Sequence, residues 1–95
     1  MNNGGDNNLI EIISQKENVG QTPLVTVIVT LFNYQNFISH CLDSVKAQTI
    51  DKLNLVVVDD RSRDRSVEKS KKWLDKNGSR FYEYILARHS VNCGL

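Results

Sequence analysis

The sequence predicts an α/β fold: a Rossmann-like three-layer half domain, β-α-β-α-β, on a mostly parallel sheet. Three observations carry that prediction. Two runs of β-branched and apolar residues, Leu24 to Thr30 and Leu53 to Val58, are almost continuous and suit strands covered on both faces. Apolar residues recur at helical spacing after each run. The links are short, so right-handed crossovers would place both helices against the sheet.

Residues 1–22 are expected to form a disordered or weakly ordered leader. Met1 to Asn8 holds four Asn, two Gly and one Asp, too little apolar surface to offset the entropy of ordering. Leu9 to Ile13 is apolar but five residues long, which suits a frayed leader or a marginal helix. The compact domain, residues 23–95, is expected to begin near Pro23, whose fixed φ suits entry to a strand. After the first strand, Phe37, Ile38, Cys41, Leu42 and Val45 form one stripe of a helix from about Asn36 to Gln48. The second strand, Leu53 to Val58, ends in Asp59-Asp60. Val67, Ser70, Lys71 and Leu74 mark a second helix, with Asp64 or Ser66 as N-cap and Asn77-Gly78 as the stop. Arg80 to Leu86 reads as the third strand, followed by the turn-like Asn92-Cys93-Gly94.

Composition narrows the function. With 95 residues the chain makes one domain, and 12 Lys+Arg against 11 Asp+Glu leave a net charge of +1. That balance gives no reason to expect nucleic acid as a partner. No apolar run reaches the roughly 18–20 residues of a membrane crossing, and the start lacks signal-peptide features. A cytoplasmic location is expected, with a membrane-peripheral placement of a complete protein left open. Cys41 and Cys93 make neither a disulfide framework nor a metal spacing.

In open parallel sheets ligands gather outside the carboxyl ends of the strands. Those ends hold Thr30-Leu31-Phe32-Asn33 and Asp59-Asp60. Burying an unpaired charge costs several kcal/mol, so at least one acid of the pair is expected at the sheet edge in solvent. A carboxylate only accepts hydrogen bonds, so it suits the imide N–H of uracil or thymine, or the N1–H and amino group of guanine. Alternation points Thr30 and Phe32 to one side, where a base could stack on the Phe32 ring while Asp60 reads its edge.

The segments Thr30-Leu31-Phe32-Asn33-Tyr34, Cys41 to Thr49, Val56 to Ser66 and Asn92-Cys93-Gly94-Leu95 together resemble the opening of a family 2 glycosyltransferase of the GT-A fold. The resemblance spans Pro23 to Leu95, about three quarters of the chain. It implies an inverting transfer of sugar from a nucleotide-diphosphate sugar, a UDP-sugar foremost, to a carbohydrate or lipid-linked acceptor hydroxyl. It further implies Thr30 as a hydroxyl contact, Phe32 as base platform, Asn33 as turn support and Asp60 as acceptor for the base imide, with Asp59 beside it holding the loop. A donor diphosphate stabilised by Mg²⁺ or Mn²⁺ is implied for the complete enzyme.

Two departures from the family pattern stand out. Arg61 follows the acid pair where a small residue is usual, so a positive φ there would strain the turn. Arg63 and Arg65 also replace small residues, and the three arginines suit either a solvated turn or a diphosphate clamp. The chain stops before an Asp-x-Asp metal motif or a general base would appear, so this fragment is expected to be inactive alone, with no catalytic or metal residue of its own. His89 lies just past the third strand, close to the expected mouth, where it is a candidate ligand contact. Two other readings compete: a receiver-type signalling module, which also uses an acid pair after a strand, and a non-catalytic fragment that binds a protein partner.

Overall fold

A computed structural model of the chain describes residues 10–17 and 25–89. Four strands, β1 (Ile10–Lys16), β2 (Val25–Leu31), β3 (Leu53–Asp59) and β4 (Glu83–His89), form one sheet in the order β1-β4-β3-β2. β2, β3 and β4 run parallel, and β1 lies antiparallel to β4. Helix α1 (Ile38–Lys46) joins β2 to β3, and α2 (Ser66–Asn77) with a 3₁₀ turn at Gly78–Arg80 joins β3 to β4. The α/β architecture with a mostly parallel sheet is the expected one. Sheet and helices make two layers among the described residues. Met1 to Leu9, the domain start at Pro23 and the turn at Asn92 to Gly94 lie outside them.

The register explains which residues are buried. Leu31, Val57 and Leu55 alternate with Thr30, Val58 and Val56, and the odd-numbered set of β2 and β3 faces the helices. On that side Leu53, Leu55, Val57 and Leu86 meet Ile38 and Leu42 of α1 and Trp73 and Leu74 of α2 in one core. Each such leucine, fully buried, contributes about 1.5–3 kcal/mol. Trp73 also donates its indole N–H to Asp43 Oδ1 at 2.9 Å, tying α2 to α1.

Several expectations change. The segment expected as a frayed leader or marginal helix is β1, so residues 10–16 belong to the sheet. A short apolar run cannot hold a helix alone, but β4 supplies its hydrogen-bond partners, Ile13 packs on the core, and Lys16 Nζ donates to the Phe81 carbonyl at 2.6 Å. β2 is an edge strand with one open face, where Ile28 is 66% exposed, rather than a strand covered on both sides. Phe37 lies outside the α1 core stripe and is 64% exposed. The third parallel strand starts at Glu83 instead of Arg80, because the 3₁₀ turn carries the chain past the end of α2 and buries Phe81. Within that turn Arg80 donates to the carbonyls of Lys46, Gln48 and Ile50 and closes the end of α1. The α2 stop at Asn77-Gly78 is where it was expected, for a different reason. Gly78 has an ordinary helical φ of −61°, and a Cβ there would sit 2.5 Å from the Tyr84 ring.

Candidate functional site

The loops after β2 and β3 meet at the carboxyl end of the sheet and are laced together by reciprocal bonds. Asn33 N–H donates to Ser62 Oγ at 2.8 Å, and Arg63 N–H donates back to Asn33 Oδ1 at 2.8 Å. One step on, Gln35 N–H donates to Asp64 Oδ2 and Arg65 N–H to Gln35 Oε1, both at 3.1 Å. Tyr34 N–H reaches Ser66 Oγ at 2.6 Å. This lacing accounts for the Arg-Ser-Arg-Asp-Arg-Ser alternation. The short side chains Ser62, Asp64 and Ser66 face the β2 loop, while Arg61, Arg63 and Arg65 are exposed. Arg65 closes on Glu68 within its own helix, which leaves the solvated-turn reading for that arginine.

Asn33 and Arg61 are the residues other than glycine with positive φ, at 54° and 66°, among the described residues. Asn tolerates the left-handed region; Arg61 occupies it at a steric cost. The strain expected at Arg61 is therefore present. Asp59 holds the turn against it by accepting from Ser62 N–H at 2.7 Å and from the Ser62 hydroxyl.

Both acids of the pair are buried, at 0% and 2% exposure, so neither stands in solvent as expected. Each has a partner instead: Ser62 serves Asp59, and His89 Nδ1 lies 3.3 Å from Asp60 Oδ1. Leu31 pairs with Asp59, Phe32 and Asp60 are the next residues along each chain, and Asp60 N–H donates to the Leu31 carbonyl at 2.8 Å. Phe32 is 44% exposed, a ring presented at the mouth, and Thr30 is exposed on the same face opposite Val58. Nearby, Tyr34 and Phe37 pack edge to face with ring centroids 5.9 Å apart. Thr30, Phe32, Asn33, Asp59 and Asp60 thus gather at one end of two adjacent strands. Within that group Asn33 and Asp59 hold the loops, Thr30 and Phe32 are exposed, and Asp60 is buried with His89 beside it.

Asp64 starts α2 by accepting Ser66 N–H at 2.9 Å, although Arg65 occupies the capping position. Burial raises the Asp64 pKa, but bonds from the Ser66 hydroxyl and from the Gln35 and Ser66 amides outweigh it and hold the carboxyl below the ordinary aspartate value. Ser62, Asp64, Ser66 and Gln35 were not singled out as site-shaping residues by sequence reasoning. The signal for them was the two-residue alternation of short polar side chains with arginine.

The described residues do not fit a divalent metal. No three His, Cys, Asp or Glu side chains come together among them, and the acid pair is engaged by Ser62 and His89. A groove of about 570 Å³ between α1 and α2, lined by Lys46, Lys69, Lys72 and Lys76, includes none of the five expected site residues. No described helix is long and apolar enough to cross a membrane.

Comparison with known proteins adds a second line. The sequence profile described as Glycosyl transferase family 2 matches residues 26–94. The chain is 33% identical over 73 residues to the uncharacterized glycosyltransferase EpsJ of Bacillus subtilis (strain 168), a match covering 77% of this chain and 20% of that protein. It is 38% identical over 71 residues to glycosyltransferase GlyA of Streptococcus pneumoniae serotype 4, covering 75% of this chain and 10% of the relative. Over 56 residues it is 39% identical to the teichoic acid poly(glycerol phosphate) polymerase of Staphylococcus epidermidis, covering 56% of this chain and 8% of the relative. The chain therefore spans about a fifth or less of the length of these three relatives. No solved structure matches it.

Proposed function

The chain belongs to glycosyl transferase family 2, and from that membership we propose that it supplies the donor-nucleoside half of a sugar transferase. The donor is a nucleotide-diphosphate sugar, a UDP-sugar by preference, and the acceptor is a hydroxyl of a carbohydrate or lipid-linked substrate. One observation supports this reading most: Phe32 and Asp60 directly follow Leu31 and Asp59, the paired ends of β2 and β3, and Asp60 N–H donates to the Leu31 carbonyl at 2.8 Å. A base stacked on Phe32 would bring its imide N–H toward a group that only accepts, and uracil, thymine and guanine carry such an N–H where cytosine and adenine carry acceptors. Low solvent exposure favours the pairing, because a hydrogen bond to a charged acceptor strengthens as water is excluded.

In the complete enzyme the acceptor hydroxyl displaces the nucleoside diphosphate directly at the anomeric carbon, with inversion. Mg²⁺ or Mn²⁺ on the departing diphosphate would be held by residues outside those described. The fragment binds nucleotide and does not turn over by itself. Its place is cytoplasmic, where nucleotide sugars are consumed, and peripheral to a membrane if the acceptor is lipid-linked.

Calorimetric titration with UDP tests the reading. The folded chain should bind UDP, and Asp60→Asn, which puts a donor or a neutral acceptor where the carboxylate stood, should weaken binding at least tenfold. Equal affinity in the variant would remove Asp60 from the site. A second reading has one observation in its favour. Ile10, Ile12 and Ile28 are 54%, 54% and 66% exposed on the sheet face opposite the helices, a surface that suits a protein partner. Nothing comparable favours a receiver-type module.

A further inference from the structure

The overall charge of +1 hides an uneven distribution. Lys46 of α1 and Lys69, Lys72 and Lys76 of α2 line the groove between the two helices, and Asp43 is the one acid among the described residues that line it. Helical spacing produces this face. Lys69, Lys72 and Lys76 stand at i, i+3 and i+7 along α2, and Asp43 and Lys46 stand three apart on α1. The ammonium groups keep their charge. Lys46 Nζ donates to Asn77 Oδ1 at 2.7 Å and Lys69 Nζ to the Gln35 carbonyl at 3.2 Å, both neutral acceptors. Lys72 lies 3.6 Å from Glu68, but that carboxylate is closed on Arg65. The groove therefore carries a local surplus of three positive charges, and the rest of the chain together is slightly negative. Lys46 and Lys76 lie in last turns, where the helix dipole favours cations, but Lys69 lies near the positive end of α2 and gains nothing from it.

We propose that this lysine face docks the chain on an anionic phospholipid surface. It gives the peripheral placement proposed above a surface, and it stands without the donor-nucleoside reading. The residue type favours such a partner: a lysine is a point charge on a flexible stem and suits many loosely held headgroups, whereas bidentate grip on one phosphate uses the planar guanidinium. The shape favours it too. Bonds from Trp73 to Asp43 and from Lys46 to Asn77 span the groove, so an extended polyanion would meet them in its path, while a layer of headgroups needs only the lysines on the rims. None of the exposed large hydrophobic residues lies on α1 or α2, so the attraction is electrostatic, without insertion, and salt should dissolve it. Through the bond from Lys69 to Gln35 the face adjoins the β2 loop, so docking holds the strand-end rim close to the layer in which a lipid-linked acceptor would lie.

Cosedimentation of the 95-residue chain with vesicles tests the proposal, using phosphatidylcholine alone and equal parts phosphatidylcholine and phosphatidylglycerol. The chain should partition onto the anionic vesicles at roughly 0.05 M salt, leave them at roughly 0.5 M, and ignore the neutral ones. Lys72→Gln and Lys76→Gln should each weaken partitioning about fivefold, and the double variant about 25-fold, because each lysine near an anionic layer adds about that factor. Both side chains are exposed and glutamine is a comparable helix former, so circular dichroism of the variants should match the wild type. Lys71→Gln, which points away from the groove by helical spacing and pairs with Asp75, should stay within about twofold. Binding to neither vesicle, equal binding to both, or wild-type partitioning of the double variant overturns the proposal. So does a Lys71→Gln loss as large as that of Lys72→Gln, which would mark total charge rather than this face. Tighter binding to a short duplex DNA than to the anionic vesicles, at equal phosphate concentration, overturns it in favour of nucleic acid. No nucleotide enters these assays, so failure here leaves the donor reading standing, and failure to bind UDP leaves this face standing.

Discussion

At the scale of single residues, two backbone positions show how the same fold uses side-chain absence and presence. Arg61 holds φ at 66° where glycine would meet no steric cost. Arg61→Gly should raise unfolding stability by about 0.5–1 kcal/mol, the relieved strain being partly offset by the greater freedom of glycine in the unfolded chain. Urea denaturation measures it. Gly78 is the reverse case: Gly78→Ala sets a methyl 2.5 Å from the Tyr84 ring and should cost about 1–3 kcal/mol by the same measurement. Phe32→Ala removes the stacking surface. A loss of about 1–3 kcal/mol, roughly 5- to 150-fold in UDP affinity, is expected with little change in stability because the ring is 44% exposed. The strain at Arg61 was legible in advance from the residue type after the acid pair. The role of Gly78 was not, since a three-dimensional contact with a residue six positions later selects it.

At the scale of elements, the site depends on two loops that bind each other. Asp64 accepts from Gln35 and from Ser66, so it joins the β2 loop to the start of α2. Its pKa is lower folded than unfolded, which fixes the sign of its pH dependence. The contribution is complete above the unfolded aspartate pKa, and it disappears as pH falls through the depressed folded value. Amide protection factors at Gln35 and Ser66 should therefore be flat across neutral pH and fall only in acid, and Asp64→Asn should shift that fall or abolish it. Local order in these loops was only half visible in the sequence. The strand ends and the acid pair could be placed from β-branched runs. The partners of the acids could not, because Ser62 and His89 reach them through turn geometry and strand register. The prediction that one acid must stand in solvent failed for that reason: it assumed an unpaired charge, and both are paired. β1 was missed on similar grounds, since an edge strand needs a neighbour more than it needs a pattern.

At the scale of the whole molecule, sheet order concentrates the chemistry. Three parallel strands put their carboxyl ends side by side, so the β2 loop, the acid pair and His89 meet at one rim while the helices cover one face. That much of the architecture follows from two apolar runs and two helical stripes with short links. The open face, with its three exposed isoleucines, did not follow, because continuous apolar strands read as covered on both sides. The central claim is that this rim grips a nucleoside between Phe32 and Asp60. An amide-resolved NMR titration of the ¹⁵N-labelled chain with UDP tests it most directly. The account predicts saturable shifts confined to Thr30 through Tyr34, Asp59 through Ser62 and Arg88 to His89. Shifts centred instead on the lysine-lined groove between α1 and α2, or none at saturating UDP, would contradict it.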